Sequence, residues 1–444
     1  MKCAQIARIF ASSHILTIMK IIMYLGLKRI KRLKTELNTY FISFLRPTRK
    51  VWVDFIIDIP DEFRKRNDTF AFAHLVEHMI VESILRHNRE IKVSGSVRAD
   101  RIRIEFNAPK EKFEKEFAIV AKEIFCIDIN DAMFAHERDV ICSELRRDAA
   151  DMTWRVGDIV RSKGFMNTIC YSSSAADDER ILRNASIDDV RQFYSQLSAY
   201  FVETATIVVS AFDPFHRVCR IVPRVVQSIP VLNTSRKTLT WTPEYAGAGI
   251  HWVNDQTESD YSEIVVSFWD SLFGEGVSQH VFAARLAMDE FQKTSGALFE
   301  DSRKLGVYDV SKGWYAYRDC GFVTYRAKVK NEKISQYVEM FLTHIEGMRG
   351  KPINEDVLAQ KKKERLANLR RAVFQNGILY DYLFDNLIDY GREVSLAQLG
   401  KETKEVDVQM VRAVVEKLFD VKHMQIIVIG ADESVCIPLR THLV

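Results

Sequence analysis

The strongest constraint on this chain is an order of elements that occurs twice. From about residue 48, the apolar run 51–59 (VWVDFIIDI) predicts a strand, and residues 69–86 carry the period of a helix. Residues 101–106 (RIRIEF) alternate as a strand does, and 110–125 return to helical spacing. A long helix follows from Asp131 to about Arg147, then a helix over 187–197 and a strand over 205–210. The second half repeats the order: strand 263–268, helix 279–292, strand 321–329, helix 333–348. It closes with a long helix from Glu355 to about Phe374, helix 408–418 and strand 424–430.

Local matches support a duplication at nearly constant offset. Glu111-Lys112-Phe113 answers Glu332-Lys333-Ile334, and Val190-Arg191 answers Val411-Arg412, both at a shift of 221. Between them INDAMFAHERDVICSELRRDA (129–149) lies over INEDVLAQKKKERLANLRRAV (353–373) at a shift of 224. The expected fold is therefore α+β: two homologous halves, each a mainly antiparallel sheet packed with helices. The boundaries read as a basic arm over 1–35, a first domain over 36–212, a linker over 213–245 and a second domain over 246–444. Pro214, Pro223, Pro230 and Pro243 mark the linker.

Composition supplies limits. With 47% hydrophobic residues and only 18 Gly and 9 Pro in 444, the chain has ample core and is neither disordered nor fibrous. A net charge of +3 gives no case for nucleic-acid binding. That total hides a division, because residues 1–34 hold eight basic and no acidic residues. The apolar runs there, 9–19 and 21–27, fall short of the roughly 18–20 residues that span a bilayer. Three readings fit the arm: a solvated helix, an organelle transit peptide, or a helix making membrane-surface contact through residues 1–34. A cytoplasmic location is expected, or an organelle matrix if the arm is a transit peptide. The seven cysteines are odd in number and scattered, which points to a reducing compartment rather than a disulfide framework.

The chemistry concentrates in His74-Leu75-Val76-Glu77-His78, inside the predicted helix 69–86. Imidazoles at i and i+4 stand one above the other, about 6 Å apart along the axis. Both can then reach one Zn²⁺ at roughly 2.0–2.1 Å. Glu77, one residue before the second histidine, is placed as a general base. A catalytic zinc also needs a third protein ligand.

H-x-x-E-H inverts the common zincin motif and defines the inverzincins. On this motif the chain resembles the pitrilysin/insulinase-type metallopeptidases, which include the mitochondrial processing peptidases and their bacterial relatives. The resemblance covers about residues 36–435. It implies a third ligand from a Glu on a later helix, with another Glu seven residues earlier in the outer shell. His136-Glu-Arg-Asp-Val-Ile-Cys-Ser-Glu-Leu145 fits, with Glu144 as ligand and Glu137 behind it. At the 224 shift these two positions hold Lys361 and Asn368, and helix 279–292 has no H-x-x-E-H, so one zinc per chain is expected. The resemblance further implies a Tyr and an Arg from the second half that hold substrate and stabilise the oxyanion. Tyr308 matches the first. Arg303 is the nearest candidate for the second, five positions before Tyr308 where the pattern has seven. The segment Val93-Ser-Gly-Ser-Val97 stands where the family pairs substrate with an edge strand, an interaction that needs only backbone groups.

The functional expectation is a zinc metalloendopeptidase cleaving short or unstructured peptides within a closed chamber. Two halves alone resemble the members that assemble as a homodimer or as a heterodimer with a related subunit. One alternative is a subunit of a heteromeric processing peptidase acting on one dedicated precursor or leader peptide. The other is a non-catalytic structural homologue.

Overall fold

Near-continuous apolar runs such as 51–59 predict strands covered on both faces, and the computed structural model shows how. It describes residues 30–166, 173–212, 217–230, 244–254, 260–270, 278–291, 297–307, 309–317, 320–351, 353–430 and 433–436. The first half runs β1 (Ile30–Leu33), β2 (Asn38–Ser43), β3 (Lys50–Asp58), α1 (Thr69–His87), β4 (Lys92–Arg98) and β5 (Arg101–Pro109). Then come α2 (Phe113–Phe125), α3 (Asp131–Ala150), α4 (Met152–Gly164), α5 (Ala175–Asn184), α6 (Ile187–Ser198), the single turn α7 (Phe201–Thr204), β6 (Ala205–Ala211) and α8 (Val218–Gln227). The second half runs β7 (Gly249–Val253), β8 (Tyr261–Asp270), α9 (Ser278–Phe291), α10 (Ala297–Lys304), β9 (Val310–Ala316) and β10 (Gly321–Lys330). It ends with α11 (Ile334–Gly350), α12 (Glu355–Ala372), α13 (Asn376–Ile388), α14 (Leu396–Glu405), α15 (Val408–Leu418) and β11 (Met424–Ile429).

The two sheets have one topology. The first orders its strands β1-β2-β6-β3-β5-β4 and the second β7-β11-β8-β10-β9. In each, one parallel pair (β2 with β6, β7 with β11) adjoins a run of antiparallel pairs. Register repeats as well: Val53 faces both Val209 and Phe106, and Ile264 faces both Val428 and Ala327. The duplication read from the sequence is thus present in the fold, with β1 added to the first sheet.

Helices of the same half cover one face of each sheet. Val51, Val53, Phe55 and Ile57 pack with residues of α1 and α2, while Ile264, Val266 and Phe268 pack with those of α9, α11 and α15. The opposite faces are covered by exchange. Ile42, Ile56 and Val208 of the first sheet pack against Leu379, Leu383 and Leu387 of α13. Val265, Trp269 and Ile427 of the second pack against Val156 and Val160 of α4. α4 and α13 are both 13 residues long and start 224 positions apart, so duplicated helices perform the exchange. At the second contact Gly164 lies under Trp269, where an added Cβ would come within 1.9 Å of the ring.

Two boundaries differ from the sequence reading. The arm was expected to extend to 35, but Ile30–Leu33 is strand β1, paired antiparallel with β2. Only Ile30 and Leu33 are buried, and Lys31 and Arg32 between them are exposed, so four residues carried no readable period. Residues 1–29 lie outside the described residues. The expected linker holds α8, whose Val218, Ile221, Val222 and Val225 join the first-half core. Its apolar stripe has helical spacing, and Pro223 within it reads in sequence as a breaker. Among the described residues no helix is long and apolar enough to cross a membrane.

Because each sheet is buried partly by the other half, the halves should unfold together. Leu383→Ala removes a fully buried side chain at the exchanged α13 and should cost about 2–5 kcal/mol. Urea melts of the variant should keep one transition shifted to lower urea. A separate first-half transition at the wild-type midpoint would contradict the shared core.

Candidate metal centre

α1 is anchored at its start by the Thr69 hydroxyl, which donates to the Phe63 carbonyl at 2.6 Å. Its Ala71, Phe72, Ala73, Leu75, Val76, Met79 and Ile80 are buried, which leaves positions 74 and 78 on the less buried side. His74 and His78 stack along it with ring centroids 5.0 Å apart. Ligand atoms of His74, Glu77 and His78 all lie within 4.8 Å of one another. α3, capped by the Asn130 side chain accepting from the Met133 amide at 3.0 Å, brings two more carboxylates. Glu144 Oε2 is 3.6 Å from His78 Nε2, and Glu137 Oε2 is 3.3 Å from His78 Nδ1. The i, i+7 spacing on α3 therefore sets one carboxylate at each nitrogen of one ring. Glu137 is placed to orient that ring, as outer carboxylates do for ligating histidines.

The surroundings suit a cation. Burial, with His78 next, lowers His74 to about 4, so the imidazole is neutral and available as a ligand. Its Nδ1 is buried with no hydrogen-bond partner. Burial, then the charges of Glu144 and Glu137, raises Glu77 to about 8. Three carboxylates crowded on two imidazoles repel one another, and a dication at their centre would offset that repulsion. Two nitrogen donors with carboxylate oxygen form a zinc-type donor set.

The centre opens into a cleft of about 620 Å³ between the halves. His74, Arg98 and Glu144 line one wall, and Arg285, Trp314 and Tyr317 line the other. Arg98 crosses it, with its guanidinium 5.3 Å from the Tyr317 ring centroid and a hydrogen bond to the Ala316 carbonyl. Arg101 donates to Asp389 at 2.9 Å, a bridge from β5 to the second half. β4 is the end strand of its sheet. There Gly95 lies directly against Glu77, and a Cβ would come within 1.7 Å of its Oε1.

The structure brings His74, Glu77, His78, Glu144 and Glu137 together. Arg303 is not with them: it is exposed on α10, 6.0 Å from the Phe299 ring centroid, and does not line the cleft. The neighbouring Asp301 pairs with Lys304 at 2.6 Å and His344 at 3.1 Å. Tyr308 lies outside the described residues. Sequence reasoning passed over Gly95, which lies against Glu77, and Arg285, which lines the cleft. A lone glycine inside a strand pattern signals close approach, and it stands within the Val93–Val97 segment singled out for substrate pairing.

No family model matches the chain, and no curated protein sequence does. Solved structures do. A protease from Helicobacter pylori superposes with a TM-score of 0.75 at 13% identity, covering 90% of this chain and 99% of that one. A protein from Alicyclobacillus acidocaldarius described as an M16-like peptidase gives 0.70 at 13%, covering 91% and 98%. A peptidase M16 inactive domain from Pseudomonas fluorescens gives 0.72 at 12%, covering 91% and 98%. The chain thus has the two-half fold of M16-like peptidases.

Asp178 gives the cleft wall a pH signature. It is 2% exposed, accepts a hydrogen bond from the Ser173 hydroxyl at 2.5 Å, and is raised by burial from 3.8 to about 7. The folded chain holds this proton more tightly than the unfolded chain, so its contribution to stability is full below about pH 4 and lost as pH rises through 7. Thermal melts from pH 5 to 8 should show that decline, and Asp178→Asn should flatten it. An unchanged slope in the variant would assign the decline to other groups.

Proposed function

We propose that this chain is a zinc metalloendopeptidase that cleaves short or unstructured peptides in the cleft between its halves. The observation that carries the reading is the convergence of His74, His78 and Glu144 around Glu77, beside the end strand β4. His74, His78 and Glu144 would hold the ion, and zinc there would supply Lewis acidity and a lowered water pKa. Glu77 would take the proton of the attacking water on its carboxylate and return it to the leaving amine nitrogen. Gly95 lets the β4 backbone lie against that carboxylate and fixes its position. A peptide pairing with the outer edge of β4 would run past Glu77, held by main-chain hydrogen bonds that make few demands on sequence. The narrow cleft between packed halves favours unfolded segments over folded proteins. The complete ligand set favours catalysis over a purely structural role.

Purified protein should hold about one zinc per chain, and His74→Ala should lose it. Glu77→Gln should keep the metal while abolishing hydrolysis of a quenched peptide, by a factor on the order of 10² or more. Gly95→Ala should also keep the metal and slow hydrolysis, by displacing the Glu77 carboxylate. Retained activity in Glu77→Gln would remove this mechanism.

A partner-dependent form of the same activity is favoured by one observation. Arg303 is exposed on α10 and does not line the cleft, so a second copy or a related subunit has room to contribute a group. In that case the isolated chain should bind zinc yet hydrolyse nothing until the partner is added. Mass and activity measured on one sample separate the two forms, because a fully active monomer excludes the second.

A further inference from the structure

Across the cleft from the metal centre, the fold repeats the geometry of the histidine helix with different side chains. β2 and β7 start 211 positions apart, as do β3 and β8. The same shift lays α1 over α9 with matching burial: residues 71–73 and 75–77 are buried, as are 282–284 and 286–288. His74 and His78 then correspond to Arg285 and Asp289, and Glu77 to Met288. Asp289 is engaged by Lys312 on β9, as an ion pair. Arg285 is placed differently. Its guanidinium rests 5.5 Å from the Trp314 ring centroid, lines the cleft and forms no ion pair among the described residues.

Among the described residues neither Asp389 nor Asp385 forms an ion pair with Arg285. Asp389 accepts from Arg101 at 2.9 Å. Asp385 feels the charge of Arg285 but forms no ion pair with it among the described residues. The result is an exposed guanidinium, backed by an indole, on the wall opposite His74 and Glu144. A planar guanidinium stacked on an aromatic face keeps its fork of N–H donors free, and that fork matches a carboxylate. Stacking also limits the rotamer freedom lost on binding, which strengthens recognition.

We propose that Arg285 is a specificity residue that captures a carboxylate of the peptide lying in the cleft. That carboxylate is either an acidic side chain or the free C-terminus. The inference rests on the peptidase reading for the identity of the ligand as a peptide, and on the geometry alone for its charge. It predicts a substrate preference set by the second half, at a distance from the metal chemistry of the first.

Binding to the full chain carrying Glu77→Gln tests this without hydrolysis. Two pairs of fluorescent peptides are compared by anisotropy, one differing by an internal Glu or Gln and the other by a C-terminal acid or amide. The acidic member of one pair should bind about tenfold tighter or more, and the pair that responds identifies the source of the carboxylate. Adding Arg285→Gln should collapse that ratio to near one, while Arg285→Lys should keep part of it. Equal binding within both pairs, a preference that survives Arg285→Gln, or no peptide binding at all would overturn the assignment. An Arg285-dependent preference in a protein whose wild type cleaves none of these peptides supports the assignment and removes the peptidase reading.

Discussion

Everything in this structure depends on two sheets whose central strands are buried on both faces. β3 carries Val51, Val53, Phe55 and Ile57 on one side and Ile56 on the other, and β11 is buried along its whole length. A sheet apolar on both faces cannot stand with helices on one side alone. The chain solves this by exchanging α4 and α13, so that each half completes the core of the other. The seam is therefore fixed by hydrophobic packing. The buried pairing of Arg101 with Asp100 and Asp389 adds register to it, since a misaligned seam would strand a guanidinium that is 5% exposed.

That exchange determines where chemistry can occur. The two end strands and the two corresponding helices α1 and α9 border the seam, so whatever they carry faces a common cleft. In the first half the helix carries two imidazoles and a buried carboxylate, and α3 adds one carboxylate to each nitrogen of His78. Burial first, and then repulsion from Glu144 and Glu137, raises the Glu77 carboxyl. Burial makes that repulsion large, and the same burial would make a bound dication effective.

Much of this was legible in the sequence because duplication and metal chemistry both leave short-range patterns. The 224 shift between α3 and α12 appears in shared Ile, Asn, Leu and Arg, and it also relates α4 to α13, whose sequences share little. H-x-x-E-H exposes the site because helical geometry turns spacing directly into distance. β1 and α8 were missed because their order comes from tertiary pairing: two buried residues in a four-residue strand, and an apolar stripe interrupted by Pro223. Arg303 is a different case. A motif match in one dimension did not say which way α10 faces, and the fold turns that residue outward, beside an Asp301 held by Lys304 and His344. Arg285 was invisible for a related reason, because the 211 shift that aligns α9 with α1 differs from the 221–224 shift of the later elements. Only the strand register reveals that an insertion lies between them.

The duplication also explains how one half can carry a histidine and carboxylate cluster and the other lack it without cost to the fold. The ligand positions lie on the less buried sides of their helices, so replacing them leaves the cores untouched. At corresponding places the second half has Arg285, Met288 and Asp289 on α9, and Lys361 and Asn368 on α12. Lys312, which takes the strand position of Gly95, pairs with Asp289, the counterpart of His78. The two walls of the cleft thus differ in charge while sharing a backbone. One is a carboxylate and imidazole cluster suited to a cation, and the other presents a guanidinium on an indole, suited to an anion. A peptide has both kinds of group to offer, a polarisable carbonyl and ionised ends or side chains. On the proposed reading, opposite walls of this kind would orient a bound peptide along one direction, which a symmetric pair of cation sites would not do.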